Sequence, residues 1–387
     1  MLRLADGLMA RGLVVDFAVG QAKGELCAEA SSRARVVELE KAPLWRGIAD
    51  GLRAEPNLRG LALRLEIKPL KRLLRRLPPL VHYLRSVRPD AILAAEPRYN
   101  AMAVWARRLS GLRSRVVISE RIQVSLHAAS GGPWADERLL GLLREAYLGA
   151  DAIVAVSDGV ADDLAAYADI PRERISTVYN PVVGPELFVR AREPFDHPWF
   201  AQDAPPVILA AGRLDPQKDF ATLIRAFARL RARRPARLLI LGGPSLAEPT
   251  HAGKLKALAG SLGIADDVDM PGFVDNPFAF MARAAVFVLS SLYEGLPGVL
   301  IQALACGCPV VSTDCPSGPA EILDHGRFGP LVPVGDDAGL ARAIGAILDD
   351  PPPSARLQAR AELFNVQQAT DHYLELLLPA PRPASRQ

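Results

Sequence analysis

Short apolar, β-branched runs recur along the chain and alternate with longer stretches whose apolar residues stand three and four apart, the rhythm of βαβ units feeding a parallel sheet. Runs at 13–19, 35–39, 91–95, 115–119 and 152–156 predict one series of strands, and runs at 207–211, 237–241, 268–271, 286–289 and 309–313 predict a second. Stripes such as Leu223, Phe227 and Leu230 predict the helices between them. Segment 185–206, rich in Pro, Phe and acids, reads as an interdomain linker. The expected layout is an α/β chain of two doubly wound domains, 1–190 and 191–365, with a cleft between them. Residues 366–387 are expected to end it as a helix and a disordered tail.

The opening residues break this rhythm. Leu2, Leu4, Leu8 and Met9 make a helical stripe closed by Arg11 and Gly12, so the chain begins inside a helix. A doubly wound domain starts with a strand and a glycine-rich turn feeding that helix. The N-terminal domain is therefore expected to lack its usual first strand, with the strand and turn encoded upstream of Met1.

Half of the 387 residues are hydrophobic, 23% are charged and 6% are aromatic, which excludes disorder and fibre and leaves a soluble globular chain. No apolar stretch of about 18 residues lacks a charge, and no basic leader precedes a cleavage site, so the expected compartment is the cytoplasm. Cys27, Cys306, Cys308 and Cys315 are too unevenly spaced for a disulfide framework and are expected as free thiols.

The net charge of +3 hides an asymmetry: residues 1–119 carry 22 Lys and Arg against 11 acids, the remainder 24 against 32. The excess is densest at 59–88, where nine cations meet one acid, Glu66, among Leu70, Leu73, Leu74 and Leu77 at helical spacing. Such a face suits an anionic membrane surface, with the protein peripheral on its cytoplasmic side. It equally suits a solvated helix packed by its leucines on a sheet. Nucleic acid is not the expected partner, because no aromatic residues interleave the cations as stacking platforms.

Candidate chemistry concentrates in the second half. Arg213 and Lys218 stand just past a strand end, across a turn at Pro216. An Arg fork and a Lys point charge together suit a diphosphate and can stabilise one as it departs. Further on, Glu294 opens a glycine-bearing turn, Gly295-Leu296-Pro297-Gly298, that feeds a helix. Bare backbone at a helix N-terminus holds anions and oriented hydroxyls, and Glu294 accepts hydrogen bonds from a sugar. Gln302 lies eight residues after Glu294, two turns further along the expected helix, where its amide is a candidate to reach ribose hydroxyls.

Together these motifs resemble the retaining glycosyltransferases of family 4, in the GT-B class of two facing Rossmann-like domains. The resemblance runs through Gly212-Arg213-Leu214 to Lys218, Gly242-Gly243-Pro244, Pro271-Gly272-Phe273-Val274 and the Glu-x7-Glu region at Glu294. Ala155-Val156-Ser157-Asp158-Gly159 and Val178-Tyr179-Asn180-Pro181 look like the last strands of its acceptor domain. It implies that Arg213 and Lys218 grip the donor diphosphate and that Glu294 binds the transferred sugar. Gly212, Gly243 and the backbone of Gly295, Leu296, Pro297 and Gly298 then line the donor site, Gln302 stands at the ribose position, and Phe273 and Val274 lie beside the nucleobase. Residues 1–190 would take the acceptor. Two positions depart from the pattern: the second acid is Gln302, which keeps hydrogen bonding without charge, and 242–244 lacks an acid often seen there.

The implied reaction is metal-independent transfer of a hexose from a UDP- or GDP-linked donor, with retention, to a glycan or lipid-linked acceptor in surface polysaccharide or glycoconjugate synthesis. The nucleotide sugar is a co-substrate and no cofactor is implied. A leaving phosphate oxygen takes the acceptor proton. Cys306 and Cys308 have no partner pair at ligand spacing and read as two buried thiols, and the lone His127 reads as structural. On the acceptor side, Glu120 and Arg121 directly follow the 115–119 strand and are candidates to face the acceptor, against the ordinary alternative of a strand-end ion pair. A nucleotide-sugar epimerase of the same fold and an inactive scaffold protein are the alternatives. The 294–298 loop argues for transfer, whereas Gln302 and the missing first strand favour the scaffold.

Overall fold

The computed structural model describes residues 1–23, 25–58, 68–129, 137–245 and 248–379. The tail at 380–387 and the 59–67 part of the basic segment lie outside the described residues. Among the described residues twelve strands form, and every pairing between them is parallel. They divide between two units, one of Met1–Tyr179 with Gln367–Gln387, the other of Asn180–Val366.

The first unit holds β1 (Asp16–Val19), β2 (Arg35–Glu38), β3 (Ala91–Ala95), β4 (Arg115–Glu120), β5 (Ala152–Ala155) and β6 (Ile175–Thr177). These make two separate sheets, β1-β2 and β3-β4-β5-β6. β4 and β5 are apolar runs buried almost throughout, as strands covered by helices on both faces must be. The opening stripe is a helix, Leu2–Ala10, with Leu4, Ala5, Gly7 and Leu8 turned inward. Leu4 and Leu8 pack with Val117 and Val154 of the sheet and with Tyr373 and Leu377 of the last helix, Val366–Leu377. A Cβ at Gly7 would lie 2.1 Å from Thr370 Oγ1, so a larger residue there would force the two helices or the Thr370 side chain to shift.

The second unit holds β7 (Val207–Ala211), β8 (Arg237–Leu241), β9 (Val268–Gly272), β10 (Val286–Leu289), β11 (Val310–Thr313) and β12 (Leu331–Val332). Their order is β12-β11-β10-β7-β8-β9, so the chain reverses direction of travel between β7 and β10. That reversal is the switch point at which open α/β sheets hold ligands. β9 carries Pro271 and sits at the sheet edge, where a missing N–H breaks no ladder. Leu223, Phe227 and Leu230 bury their stripe from the Phe220–Arg231 helix against β7 and β8.

Two features of the layout differ from the sequence reading. Segment 185–206 is packed into the second unit instead of linking the two. It contains the Pro185–Ala191 helix, and Phe195 stands edge-on to Phe280 at 4.6 Å and to Phe200 at 5.1 Å, under the Arg283 guanidinium. The aromatics that looked like linker composition form a half-buried cluster. The chain passes between units at Tyr179–Asn180 and again at Val366–Gln367, where 190 and 365 were expected, and the last helix returns to the first unit because Tyr373 and Leu377 fill its core. Strands β6 and β12, three and two residues long, are too short to show a period in sequence.

Candidate active site

Arg213 and Lys218 lie on the connection from β7 to the Phe220–Arg231 helix, and Glu294 on the connection from β10 to the Gly298–Ala305 helix. Because β7 and β10 are neighbours, their carboxyl ends bring these two loops together. Lys218 Nζ meets Glu294 Oε1 at 2.5 Å, with the side chains only 16% and 9% exposed, and Ser291 Oγ donates to the same oxygen at 2.6 Å. Three more bonds stitch the loops: Gln217 Nε2 donates to Tyr293 O at 2.8 Å, the Leu292 amide to Gln217 O at 2.8 Å, and Ser290 Oγ to Lys218 O at 2.7 Å. Such a frame holds a buried charge pair in one geometry.

The local turns explain how these residues get there. Asp215 caps the single turn Pro216–Lys218 by accepting from Gln217 N, and Asp219, at φ 43°, caps the next helix by accepting from Thr222 N. On the neighbouring β8 end, the Leu214 amide donates to Gly243 O at 2.9 Å, and Ser245 Oγ donates to Asp215 at 3.2 Å. Gly242 has φ 149°, and a Cβ there would sit 1.8 Å from Gly212 O, so the two connections touch backbone to backbone. After β11, Ser317 Oγ donates to Gly295 O at 2.8 Å, and the Glu294 amide donates to Pro316 O.

Around this pair lie groups with spare bonding capacity. Arg213 is exposed, and its guanidinium has no partner among the described residues. The Gly298–Ala305 helix has Pro297 as its N-cap and no side-chain cap, and the Leu300 amide donates to Pro297 O, so the amides of Gly298 and Val299 are left for another acceptor. Gln302 is half-buried on that helix, and its amide is unbonded among the described residues. Leu296 is buried. On the β9 side, Phe273 is 75% exposed and Val274 half-buried. The 212–218, 242–245, 294–298 and 302 positions thus gather at one sheet edge. Ser291, Gln217 and Ser317, which fix that edge, escaped the sequence reading; the polar pair Ser290-Ser291 ending an apolar run was their visible signal.

The first-unit candidates are placed differently. Glu120 ends β4 and is wholly buried, accepting from Tyr147 Oη at 2.6 Å and from the Arg121 amide at 3.0 Å. Burial pushes its carboxyl up to about 7 against the pull of those hydrogen bonds. Asn100 Nδ2 donates to Tyr147 Oη and to Ser119 O, closing a network inside the sheet. Glu120 is therefore a buried anchor, and the half-buried Arg121 does not pair with it through side chains. Cys306 and Cys308 are free, with thiols directed at the carbonyls of Phe278 and Ala284, and burial pushes the Cys306 thiol up to about 12.

Two doubly wound units, with a cation–carboxylate pair at the switch point of the second, describe the architecture of GT-B glycosyltransferases. HepE of Anabaena, solved in complex with UDP and glucose, shares the fold at a TM-score of 0.73 over 97% of this chain and 94% of that one, with 19% identity. The family model described as Glycosyltransferase Family 4 matches residues 1–183, and that described as Glycosyl transferases group 1 matches residues 205–350. The lipopolysaccharide core biosynthesis glycosyltransferase LpsE of Rhizobium meliloti is 31% identical over 345 residues, 87% of this chain and 88% of that protein. The N-acetylgalactosamine-N,N'-diacetylbacillosaminyl-diphospho-undecaprenol 4-alpha-N-acetylgalactosaminyltransferase of Campylobacter jejuni is 33% identical over 255 residues, 65% of each chain. The chain belongs to glycosyltransferase family 4.

Proposed function

We propose that the protein transfers a hexose, with retention at the anomeric carbon, from a UDP- or GDP-linked donor to a glycan or lipid-linked acceptor in surface polysaccharide or glycoconjugate synthesis. The observation that carries this reading is the β7/β10 edge, where Lys218, Glu294 and the unpaired Arg213 stand beside an uncapped helix start. Lys218 has three N–H donors and gives one to Glu294, which leaves two for phosphate oxygens. Arg213 adds a planar fork. As the sugar–phosphate bond breaks, negative charge grows on the diphosphate, and these fixed cations stabilise it without reorganising. Glu294 Oε2 remains to accept from sugar hydroxyls, and a departing phosphate oxygen takes the acceptor proton on the same face. The cations supply the charge that a divalent ion supplies in other transferases, so no metal is invoked.

The names of the Rhizobium and Campylobacter relatives, a lipopolysaccharide-core enzyme and one acting on a diphospho-undecaprenol acceptor, support an acceptor of glycan or lipid-linked type. No helix among the described residues is long and apolar enough to cross a membrane. In the 68–88 part of the basic segment, Leu73, Leu74 and Leu77 are buried in the core, so contact with an anionic membrane runs through the exposed heads of Arg72, Arg75, Arg85 and Arg88. A peripheral position on a cytoplasmic face fits both. Screening UDP- and GDP-sugars by thermal shift, then assaying release of the matching nucleotide in EDTA, tests the reading. A donor that raises the melting temperature and turns over in EDTA supports it; no response to any donor, or activity that only magnesium restores, overturns it.

A further inference from the structure

A second cationic site lies within the first unit. A cavity of about 520 Å³ is lined by Gly20, Lys41, Arg72, Arg76, Arg98 and Tyr99, with Leu73 and Met102 among its apolar walls. That volume falls in the range of small-molecule sites, about 300–1,000 Å³. Part of its lining follows the carboxyl ends of strands in the two separate sheets of this unit, since Gly20 follows β1, Lys41 follows β2, and Arg98 and Tyr99 follow β3, while Arg72 lies on the Lys68–Leu74 helix and Arg76 just after it. Open α/β sheets hold ligands at that edge.

Charge distinguishes this cavity from ordinary surface. Arg33, Arg107, Arg108, Arg144 and Arg172 in the same unit all pair with carboxylates. In the cavity no acid is among the lining residues. Lys41 and Arg72 are exposed and have no partner among the described residues. Arg76 is half-buried and held by Gly20 O, at 3.2 Å from Nε and 2.7 Å from Nη2, which orients the guanidinium without neutralising it. Among the described residues only Arg98 of these four pairs with an acid, Glu96 at 3.6 Å, and it also lies 5.4 Å from the Tyr99 ring centroid. Arg98 and Tyr99 further stand in the first turn of the 14-residue Pro97–Ser110 helix, whose N-cap makes no side-chain hydrogen bond. Four like charges converging on one concavity repel one another unless a multiply charged anion joins them. Arg forks beside a helix start match phosphate oxygens.

We propose that this cavity seats a phosphate or diphosphate group carried by the acceptor. The word acceptor rests on the transferase reading above; the anion site does not. In the full chain, Arg213→Ala with Lys218→Ala removes the donor-side cations, and calorimetric titration with inorganic pyrophosphate then reads the remaining site. Adding Lys41→Ala and Arg72→Ala should weaken that binding at least ~10-fold, since each charge-assisted bond is the stronger kind. Unchanged affinity overturns the proposal. Both added substitutions remove exposed, unpartnered side chains, so folding should survive, and a measurement on the unmutated chain stands beside them. Pyrophosphate should slow acylation of Lys41 relative to Lys23, and equal labelling with and without it overturns the proposal. Geranyl diphosphate and N-acetylglucosamine 1-phosphate distinguish the source: tighter binding of the first points to a lipid-linked diphosphate, of the second to a phosphorylated glycan, and binding of neither overturns the site. Donor thermal shifts on the unmutated chain separate the failures. A donor response without pyrophosphate binding strikes this cavity alone, and the converse strikes only the transferase reading.

Discussion

Lys218 and Glu294 illustrate how a buried charge is kept ready for use. The pair is nine-tenths covered on the carboxylate side and held by Ser291, so neither partner is free to solvate elsewhere. Arg213→Ala removes an exposed side chain that touches nothing described, so its loss should leave the melting temperature near wild type while lowering turnover by about 100-fold, the usual effect of deleting one preorganised group facing developing charge. Lys218→Ala should lower turnover as much and also destabilise, because Glu294 is left buried without its cation. Steady-state kinetics beside melting curves separates the two. Near-normal rates in both would remove these residues from the reaction.

Glu120 is a different kind of buried acid, and its consequence is thermodynamic. Its carboxyl ordinarily titrates near 4.5 and is raised to about 7 by desolvation in the fold. Between those values the folded chain holds a proton that the unfolded chain has lost, so stability falls as pH rises from about 4.5 to 7. Glu120→Gln imitates the protonated acid and should remove that part of the decline. Melting temperatures of both chains at pH 5, 6, 7 and 8 test this, and parallel curves would mean that Glu120 titrates as an ordinary carboxylate.

Among the elements, the connections after β7 and β8 are joined through backbone, which makes two adjacent glycines unequal. A Cβ at Gly242 would strike Gly212 O and sit at a φ that side chains avoid, whereas a Cβ at Gly243 meets nothing within 4 Å. Gly242→Ala should therefore cost roughly 1–3 kcal/mol of stability and displace the Arg213 loop. Gly243→Ala should melt like wild type. If the bare backbone at 243 approaches the donor, that variant will raise KM for the donor without a change in stability. Equal melting of the two variants would contradict the close contact of these loops.

Across the whole molecule, charge is divided as the sequence is, with its positive excess in residues 1–119. The buried leucines of the 68–88 helices leave only electrostatic attraction for a lipid surface, about 1 kcal/mol per cation near the surface and screened over about 8 Å at physiological salt. Sedimentation with vesicles should show binding to anionic but not neutral lipid, lost as salt rises. Equal recovery with both lipids at low salt would reject a membrane role for this face.

Much of the architecture was legible in the chain because parallel strands covered on both faces must be apolar runs, and the boundaries of β3, β7, β8 and β10 coincide with theirs. The placement of the candidate motifs was legible for a related reason: each is contiguous, a strand end and the turn after it, so Arg213 with Lys218 and Glu294 with Gly298 stand out locally. What only the tertiary structure decided is what distant segments do together. The Lys218–Glu294 pair spans 76 residues and exists because β7 and β10 lie side by side at the switch point. Burial alone turns Glu120 from a strand-end candidate for the acceptor into an internal anchor, and aromatic packing holds 185–206 in the second unit where a linker was expected. The four cations at Gly20 come from two strand ends and a helical segment whose local sequences carry no shared signal, since periodicity records which face of an element is covered, not which elements meet.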